Sequence, residues 1–229
     1  MATSNSTDFE PNVAEFIEEA YERCGLELRT GYDLKSARRS LNILFSEWGN
    51  RGVHLWKVEL KEQLLSAGTA TYTAPSNAND VLEAYISTTT STTTSTNDVS
   101  LTKISRSEYA ALPNKGNQGQ PSQYYVDRQT TPQITLYQTP DASTYTYLKY
   151  YYLKRIEDAG AYTNQADVVF RFIPCMVAGL AYYLSMKRAP SLVQQNKLLY
   201  EDELQRALTE DGQRTSVYIT PQTFYPQGA

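Results

Sequence analysis

The sequence predicts an α+β protein in which a helical bundle, formed by the N- and C-terminal parts, carries an inserted antiparallel β domain and an extended C-terminal tail. Apolar residues recur at helical spacing in residues 12–54 and 158–213. Between them, residues 55–157 contain short runs of alternating apolar and polar residues, which are typical of strands. Residues 214–229 contain two prolines and are too short to fold alone. These four ranges are the predicted domains and tail.

The first predicted helix begins after Asn12, a residue suited to capping, and ends at Gly25. Its buried face consists of apolar residues at helical spacing: Val13, Phe16, Ile17, Ala20, Tyr21 and Cys24. Its opposite face carries four glutamates: Glu15, Glu18, Glu19 and Glu22. A solvated helix face explains these acids better than a catalytic group does.

The second predicted helix begins near Asp33 and stops at Gly49 and Asn50. Its apolar stripe consists of Leu34, Ala37, Leu41, Leu44, Phe45 and Trp48. Three basic residues lie off this stripe: Lys35, Arg38 and Arg39. We expect them to pair with acids of a neighbouring helix, with nucleic-acid contact as the second alternative.

The middle of the chain predicts a mostly antiparallel β unit of five to seven strands, inserted between helices. The predicted strands lie around residues 56–60, 70–73, 81–87, 101–104, 124–127, 134–138 and 144–153. Ser105 and Glu108 have the spacing of a capping box and predict one helical turn. Residues 87–96 are all Ser or Thr, and we expect an exposed hairpin or a mobile loop there.

The most apolar stretch, residues 168–186, predicts a helix that is buried nearly all round. Its uncharged run of fifteen residues, 172–186, is shorter than the ~20 residues that a bilayer span needs, so we expect no membrane anchor. Asp167 is the predicted N-cap, and Lys187 with Arg188 complements the dipole at the C-terminal end.

A further helix follows Pro190 and has a partly polar stripe, which places it at the edge of the bundle. The stripe consists of Leu192, Asn196, Leu199, Glu203, Leu204, Ala207 and Leu208. The tail beyond it carries large side chains: Val217, Tyr218, Ile219, Phe224 and Tyr225. A segment of this kind becomes ordered on a surface that accepts its aromatic rings, either on its own domain or on a partner.

The composition disfavours several classes of protein. The net charge is −4, and no segment forms a basic patch, so tight binding to nucleic acid is not expected. Cys24 and Cys175 do not make a disulfide framework, and we expect two buried, inert thiols. The N-terminal residues do not resemble a signal peptide, and we expect synthesis in a reducing cytoplasm. Nineteen tyrosines suit protein interfaces.

The sequence offers no constellation typical of an enzyme or of a cofactor site. The single histidine, His54, has no nearby Cys or acid cluster and is a poor metal or triad candidate. The acids at 201–203 are better explained as a solvated helix surface. We therefore predict no catalytic residues, no metal ligands and no cofactor.

Four sequence segments, taken in their order and spacing, resemble those of a known family. They are LNILFSEWGNRGVHLWKVE at 41–59, QPSQYYVDR at 120–128, ITLYQTPD at 134–141 and VAGLAYYLSMK at 177–187. Together they resemble the head-to-tail adaptor proteins of short-tailed bacteriophages, also called tail tubular or head-completion proteins. The resemblance spans roughly residues 12–213.

This resemblance implies a structural virion protein at the head-tail junction, made in the host cytoplasm. It implies a homo-oligomeric ring of twelve copies that binds the portal protein on one side and the tail nozzle or tail tubular protein on the other. DNA would pass through the channel without sequence-specific binding, and residues 214–229 would dock on the portal. An unpatched acidic surface suits such a channel, since a basic lining would hold phosphates.

Two other functions remain as alternatives from the sequence. The tyrosines and the Thr-rich segment would suit a tail-associated receptor- or glycan-binding module. A peptidoglycan hydrolase is the enzymatic alternative, although the sequence contains no Ser/His/Asp set, no metal spacing and no phosphate-binding glycine loop.

Overall fold

A computed structural model of the chain describes residues 9, 11–52, 55–90 and 97–211. The described residues contain five α-helices together with mainly antiparallel sheets, which confirms the predicted α+β class. The predicted tail, His54 and residues 91–96 of the Ser/Thr segment lie outside the described residues. The domain boundaries after residues 54, 157 and 213 stay a prediction.

Helix α1, Val13–Arg23, begins and ends where the sequence predicted. The Asn12 side chain accepts a hydrogen bond from the Glu15 backbone N–H at 3.0 Å, which satisfies one free donor of the first turn. Gly25 follows the helix at φ +66°, a conformation that glycine adopts without strain. The apolar face of α1 is buried as predicted.

Helix α2, Gly31–Arg51, is longer at both ends than the prediction. Thr30 caps it by accepting from the Asp33 backbone N–H, so Asp33 lies in the first turn and is not the start. The predicted stop at Gly49 and Asn50 is wrong, because the helix continues to Arg51 and ends at Gly52 in the left-handed conformation. A glycine inside a helix, such as Gly49, costs only about 1 kcal/mol, and the packing of the buried face of α2 outweighs this cost.

The strands form two four-stranded sheets and one two-stranded pair among the described residues. The first sheet has the order β1 (Val58–Leu64), β10 (Tyr147–Lys154), β3 (Ala78–Ser87), β4 (Asp98–Ser100). The second has the order β2 (Thr71–Thr73), β8 (Gln133–Tyr137), β7 (Gln123–Asp127), β5 (Thr102–Ile104). The pair is β6 (Gln118–Gly119) with β9 (Thr139–Pro140).

The strand pairing is mostly antiparallel, as predicted, but the number of strands was underestimated. The single strand predicted at 101–104 is part of a longer extended stretch that contains both β4 and β5. Leu101 lies between these two strands, where the chain passes from one sheet to the other. Leu101 is buried, and its N–H donates to the Ala84 carbonyl at 2.9 Å. The β5–β7 and β6–β9 pairs are parallel.

The first strand begins later than its sequence pattern suggested. Residues Leu55–Lys57 form a 3₁₀ turn, and β1 starts at Val58. The Trp56 ring lies 4.8 Å from the Phe172 ring, centroid to centroid, so this side chain packs with the helices and not with the sheet. The predicted capping box is confirmed at helix α3, Arg106–Ala111, where Ser105 and Glu108 bond to each other's backbone N–H.

Helix α4, Ile173–Arg188, forms the centre of the helical core. Its residues from Cys175 to Ala181 are all buried, as expected of a helix enclosed nearly all round. The predicted N-cap, Asp167, is wrong. A 3₁₀ turn at Phe170–Phe172 precedes the helix, and Pro174 lies in its first turn, where a missing N–H costs nothing. Lys187 and Arg188 do lie in the last turn.

Helix α5, Val193–Asp211, packs on α4 with a face that matches the prediction only in part, and Leu192 lies in the 3₁₀ turn before the helix. Its buried residues are Asn196, Tyr200, Leu204 and Ala207. Leu199 is 41% exposed, and the neighbouring Tyr200 is fully buried in its place. The four longer helices share one hydrophobic cluster, and the strands enclose a second one centred on β3, β7, β8 and β10.

Candidate functional site

The predicted docking residues Val217, Tyr218, Ile219, Phe224 and Tyr225 all lie outside the described residues. Candidate functional surfaces are therefore sought on the described part of the chain. Three features stand out there: a polar network inside the helical core, a cleft beside it, and two exposed faces that have no counterpart packed on them.

The polar network is centred on Glu47 of α2, which holds α4 and α5 in place. The Glu47 carboxylate accepts from the Tyr183 hydroxyl at 3.0 Å and from the Tyr200 hydroxyl at 3.3 Å. Arg51 pairs with Glu47 at 2.5 Å and binds Glu201 of α5 with two N–H groups, at 2.7 and 2.9 Å. Paired and bidentate contacts of this kind fix the relative positions of helices.

Ionisation of the buried groups around this network is suppressed. Burial, followed by the hydrogen bond to Glu47, raises the pKa of Tyr183 to about 12. Burial raises the pKa of the Cys175 thiol to about 12, and burial also raises the pKa of Cys24. Both thiols are buried and free, which confirms that they form no disulfide, and neither is activated as a nucleophile.

A second polar contact joins the residue just before β1 to the segment that precedes α4. The Lys57 side chain is 7% exposed and forms an ion pair with Asp167. Asp167 also accepts from the Glu157 backbone N–H at 3.0 Å. The acid expected to cap α4 thus neutralises a buried lysine.

A cleft of about 360 Å³ lies where α2 approaches the end of β10. Its lining mixes helix and strand residues: Asn42, Phe45, Ser46, Gly49, Asn50, Asn79 and residues 153–158. Polar and charged side chains from three elements meet there, but no nucleophile with an adjacent base is among them. We assign the cleft no chemistry.

The acidic residues considered in the sequence occupy helix surfaces. Glu201 is paired with Arg51, and this hydrogen bond lowers the pKa of Glu201. The four glutamates of α1 are exposed. Over the ranges that the structure describes, no group of three or more His, Cys, Asp and Glu side chains is arranged to hold a metal ion.

One unpartnered face is the outer surface of the first sheet. Leu60 and Tyr151, paired across β1 and β10, are 39% and 40% exposed, and Leu64 is 60% exposed. Lys149 lies among them with its side chain 4% exposed and pairs with Asp98 at 3.2 Å. This mixture of aromatic, aliphatic and screened charged groups is typical of protein interfaces.

The second face is the solvent side of α2. Tyr32 and Ile43 are 72% and 48% exposed on it, and the basic residues Lys35 and Arg39 lie between them. The third basic residue, Arg38, bonds to the Gly160 carbonyl at 2.9 Å and lies over the Tyr162 ring, so it stabilises a loop. The expectation that Arg38 pairs with an acid of a neighbouring helix is therefore wrong, because its partners are a carbonyl and an aromatic ring.

Sequence reasoning missed Glu47, Arg51, Tyr183 and Tyr200 as a linked set. The spacing of Asn196, Tyr200 and Leu204, four residues apart each time, is a signal that could have identified the buried face of α5. The pairing of Arg51 with Glu201 could not be read from the chain, since 150 residues separate them.

The described helices do not include one that is long and apolar enough to cross a membrane. A helical core tied together by polar contacts, with exposed apolar side chains on the first sheet and on α2, is typical of a protein that contacts other proteins. The chain belongs to the SU10 adaptor protein family, whose model matches residues 7–223. A comparison with curated proteins finds no match.

This membership confirms the resemblance to phage head-to-tail adaptors. The family is a structural one and not a known enzyme family. It implies a location in the virion at the head-tail junction and association with portal and tail components.

Proposed function

We propose that the protein forms a ring of twelve copies beneath the portal, joins the capsid to the tail nozzle or tail tubular protein, and lets DNA pass through a central channel. The observation that carries this proposal is the match of the adaptor family to residues 7–223 of a 229-residue chain. The matched range includes both the helices and the strands of the chain.

The helical core suits a repeated unit that must keep its shape. Four helices pack on one hydrophobic cluster, and the Glu47 network cross-links three of them. A subunit in a ring transmits force between its neighbours, and close-packed interiors of this kind deform little. The exposed sheet face around Leu60 and Tyr151 is then available to proteins of the tail.

The charge of the chain is compatible with passage of DNA. The net charge is −4, and most basic side chains of the described residues are engaged in ion pairs. Phosphates would be held by a lining of free cations and released by one that lacks them. DNA therefore slides and does not bind.

Residues 214–229 are the proposed portal-docking element, with Val217, Tyr218, Ile219, Phe224 and Tyr225 as anchors. The support is chemical: the sequence has two prolines, which are unfavourable inside a helix, and its aromatic and β-branched side chains can supply contact area. Ordering entropy would be lost only when the tail meets a preformed partner surface.

The experiment that tests the ring is cryo-electron microscopy of complete virions without imposed symmetry. We expect this subunit as a ring of twelve between the portal and the tail. A different copy number would refute the stoichiometry alone, whereas density for the subunit elsewhere in the virion would refute the proposed function.

A further inference from the structure

The solvent face of α2 carries positive charge that the acids of the described residues do not neutralise. Lys35 and Arg39 are exposed and lie one helical turn apart, and neither has an acidic partner within the described part of the chain. Lys187, at the end of α4, donates to the hydroxyls of Ser36 and Ser40 at 3.3 and 2.6 Å and likewise lacks an acid.

Lys187 is close enough to other cations to be repelled by them. Burial and then the charges of Arg39 and Arg188 lower the pKa of Lys187, so Arg39 is close enough to act on it. Asp33, in the first turn of α2, is engaged by Arg188 at 2.7 Å. A surface of this kind is stabilised when an external anionic group is brought to it.

The same chain exposes a matching acidic face. On α1, Glu15 is held by Asn12 and Glu19 by Arg23, whereas Glu18 and Glu22 are exposed and have no partner within the described residues. Glu18 and Glu22 are four residues apart, as are Lys35 and Arg39. Both pairs therefore present their charges with the same spacing of ~6 Å along a helix.

The acidic face and the basic face belong to different helices of the subunit. Helices α1 and α2 both pack on α4 and on each other, and the charged residues of each lie on its exposed side. A contact between two different faces of identical subunits is heterologous, and such contacts form a ring when the rotation between neighbouring subunits closes.

We infer that the Glu18/Glu22 face of α1 on one subunit docks on the Lys35/Arg39/Lys187 face of α2 and α4 on the next subunit in the ring. Tyr32 and Ile43 flank the cations and supply the contact area that exposed charges alone do not provide. The inference rests on the proposed ring and deepens it by naming the surfaces between subunits.

DNA is the other anionic partner to be considered for the basic face. Tight duplex binding uses on the order of six to ten phosphate contacts, whereas this face offers three cations beside two large apolar side chains. An acidic helix face matches it better.

The test uses two full-length variants with reversed charges. Variant A carries Lys35→Glu and Arg39→Glu, and variant B carries Glu18→Lys and Glu22→Lys. Each alone opposes like charges at every contact, so we expect rings on portal-bearing capsids to fall at least about tenfold at a fixed protein concentration. Mixed in equal amounts, A and B should restore rings, because every A–B contact again joins opposite charges.

A matched control carries the same charge change on the β strands and α3, Lys61→Glu with Arg106→Glu, at two exposed positions. It should assemble like the unchanged protein, and circular dichroism should give the same spectrum for all variants. Ring number and mass are read by electron microscopy and mass photometry.

Three results would overturn the inference. Variant A could assemble normally while its affinity for a DNA duplex falls, which would assign the basic face to DNA. The A–B mixture could remain unassembled although both variants are folded, or it could stop at dimers. If the unchanged protein itself forms no ring on portal-bearing capsids, the proposed function fails as well, and the two failures are thereby separated.

Discussion

The indole N–H of Trp48 donates a hydrogen bond of 3.0 Å to the hydroxyl oxygen of Tyr200, although 152 residues separate them in the chain. Both side chains are fully buried. The Tyr200 hydroxyl in turn donates to Glu47, so one phenol connects α2 and α5 across the core. The helices before and after the strands are therefore joined by directional contacts as well as by apolar packing.

The first prediction concerns this phenol. Tyr200→Phe keeps the ring but leaves the buried Trp48 N–H without an acceptor, which costs about 1–3 kcal/mol of the free energy of unfolding. Urea denaturation measures the loss. The matched control is Tyr183→Phe, which also removes a hydroxyl bonded to Glu47 but leaves no buried donor unpaired. Equal effects of the two changes would contradict the role given to Trp48.

The second prediction concerns the closest approach of the helices. A Cβ added at Gly179 would lie 2.9 Å from both Leu44 methyl carbons and from a ring carbon of Tyr200. All three groups are buried and cannot move freely, so Gly179→Ala should lower the free energy of unfolding by about 1–3 kcal/mol.

The control for this prediction is Gly49→Ala in α2. A Cβ there meets no atom within 4 Å, and the residue lies inside a helix. Alanine should therefore raise the stability by up to about 1 kcal/mol. In thermal denaturation, we expect Gly179→Ala to lower the melting temperature and Gly49→Ala to raise it. Two shifts of the same sign would contradict that geometry.

The third prediction concerns the buried ion pair of Lys57 and Asp167. Asp167→Ala leaves a nearly buried ammonium without its anion and also frees the Glu157 N–H. Because Asp167 is 28% exposed, we expect a loss of about 2–3 kcal/mol, at the lower end of the range for buried pairs. Adding Lys57→Met should recover part of the loss. A double variant that is less stable than Asp167→Ala alone would contradict the pairing.

Much of this fold could be predicted from local patterns, since the α1 cap, the α2 stripe, the Ser105 capping box and the burial of α4 follow from spacing within a few residues. The errors arise where distant residues decide. Trp56 alternates like a strand residue but packs on Phe172. Asp167 precedes an apolar helix but binds Lys57.

For the candidate interface as well, some features follow from local sequence patterns and others depend on distant residues. The glutamate face of α1 and the basic residues of α2 are visible in the sequence. Arg38 could not be separated from Lys35 and Arg39 without the structure, because its partner is a carbonyl 122 residues away. The contribution of Lys187 depends on the packing of α4 against Ser36 and Ser40, which no local pattern contains.

The fourth prediction concerns alkaline pH. Burial raises the pKa of Cys175 from 9.0 to about 12 and the pKa values of Tyr124 and Tyr150 from 10.0 to about 12. The folded chain therefore keeps protons that the unfolded chain releases, and stability is fully present below pH 9 and lost as the pH rises towards 12. Urea denaturation at pH 8, 9, 10 and 11 should give a steadily falling free energy of unfolding.

The variant Cys175→Ala separates the thiol from the tyrosines. It should remove the fall between pH 9 and 10 and make the fall above pH 10 shallower, because only the tyrosines then contribute. A free energy of unfolding that is constant from pH 8 to 11 would mean that these groups are accessible to water.

The last prediction concerns the docking tail. Deletion of residues 214–229 removes all five proposed anchors but none of the residues of the two hydrophobic clusters. We therefore expect the shortened protein to keep its melting temperature and its circular dichroism spectrum while it no longer attaches to portal-bearing capsids. Co-sedimentation with capsids measures attachment.

Two full-length variants sharpen this test, because a deletion also changes chain length. The first replaces the large side chains: Tyr218→Ala, Ile219→Ala, Phe224→Ala and Tyr225→Ala. The second changes the same number of small or polar neighbours: Thr215→Ala, Ser216→Ala, Gln222→Ala and Thr223→Ala. Since buried aromatic side chains dominate interface energies, only the first variant should lose attachment. Normal attachment of that variant would show that the portal is bound through another surface, and the exposed face of β1 and β10 would then be the next one to change.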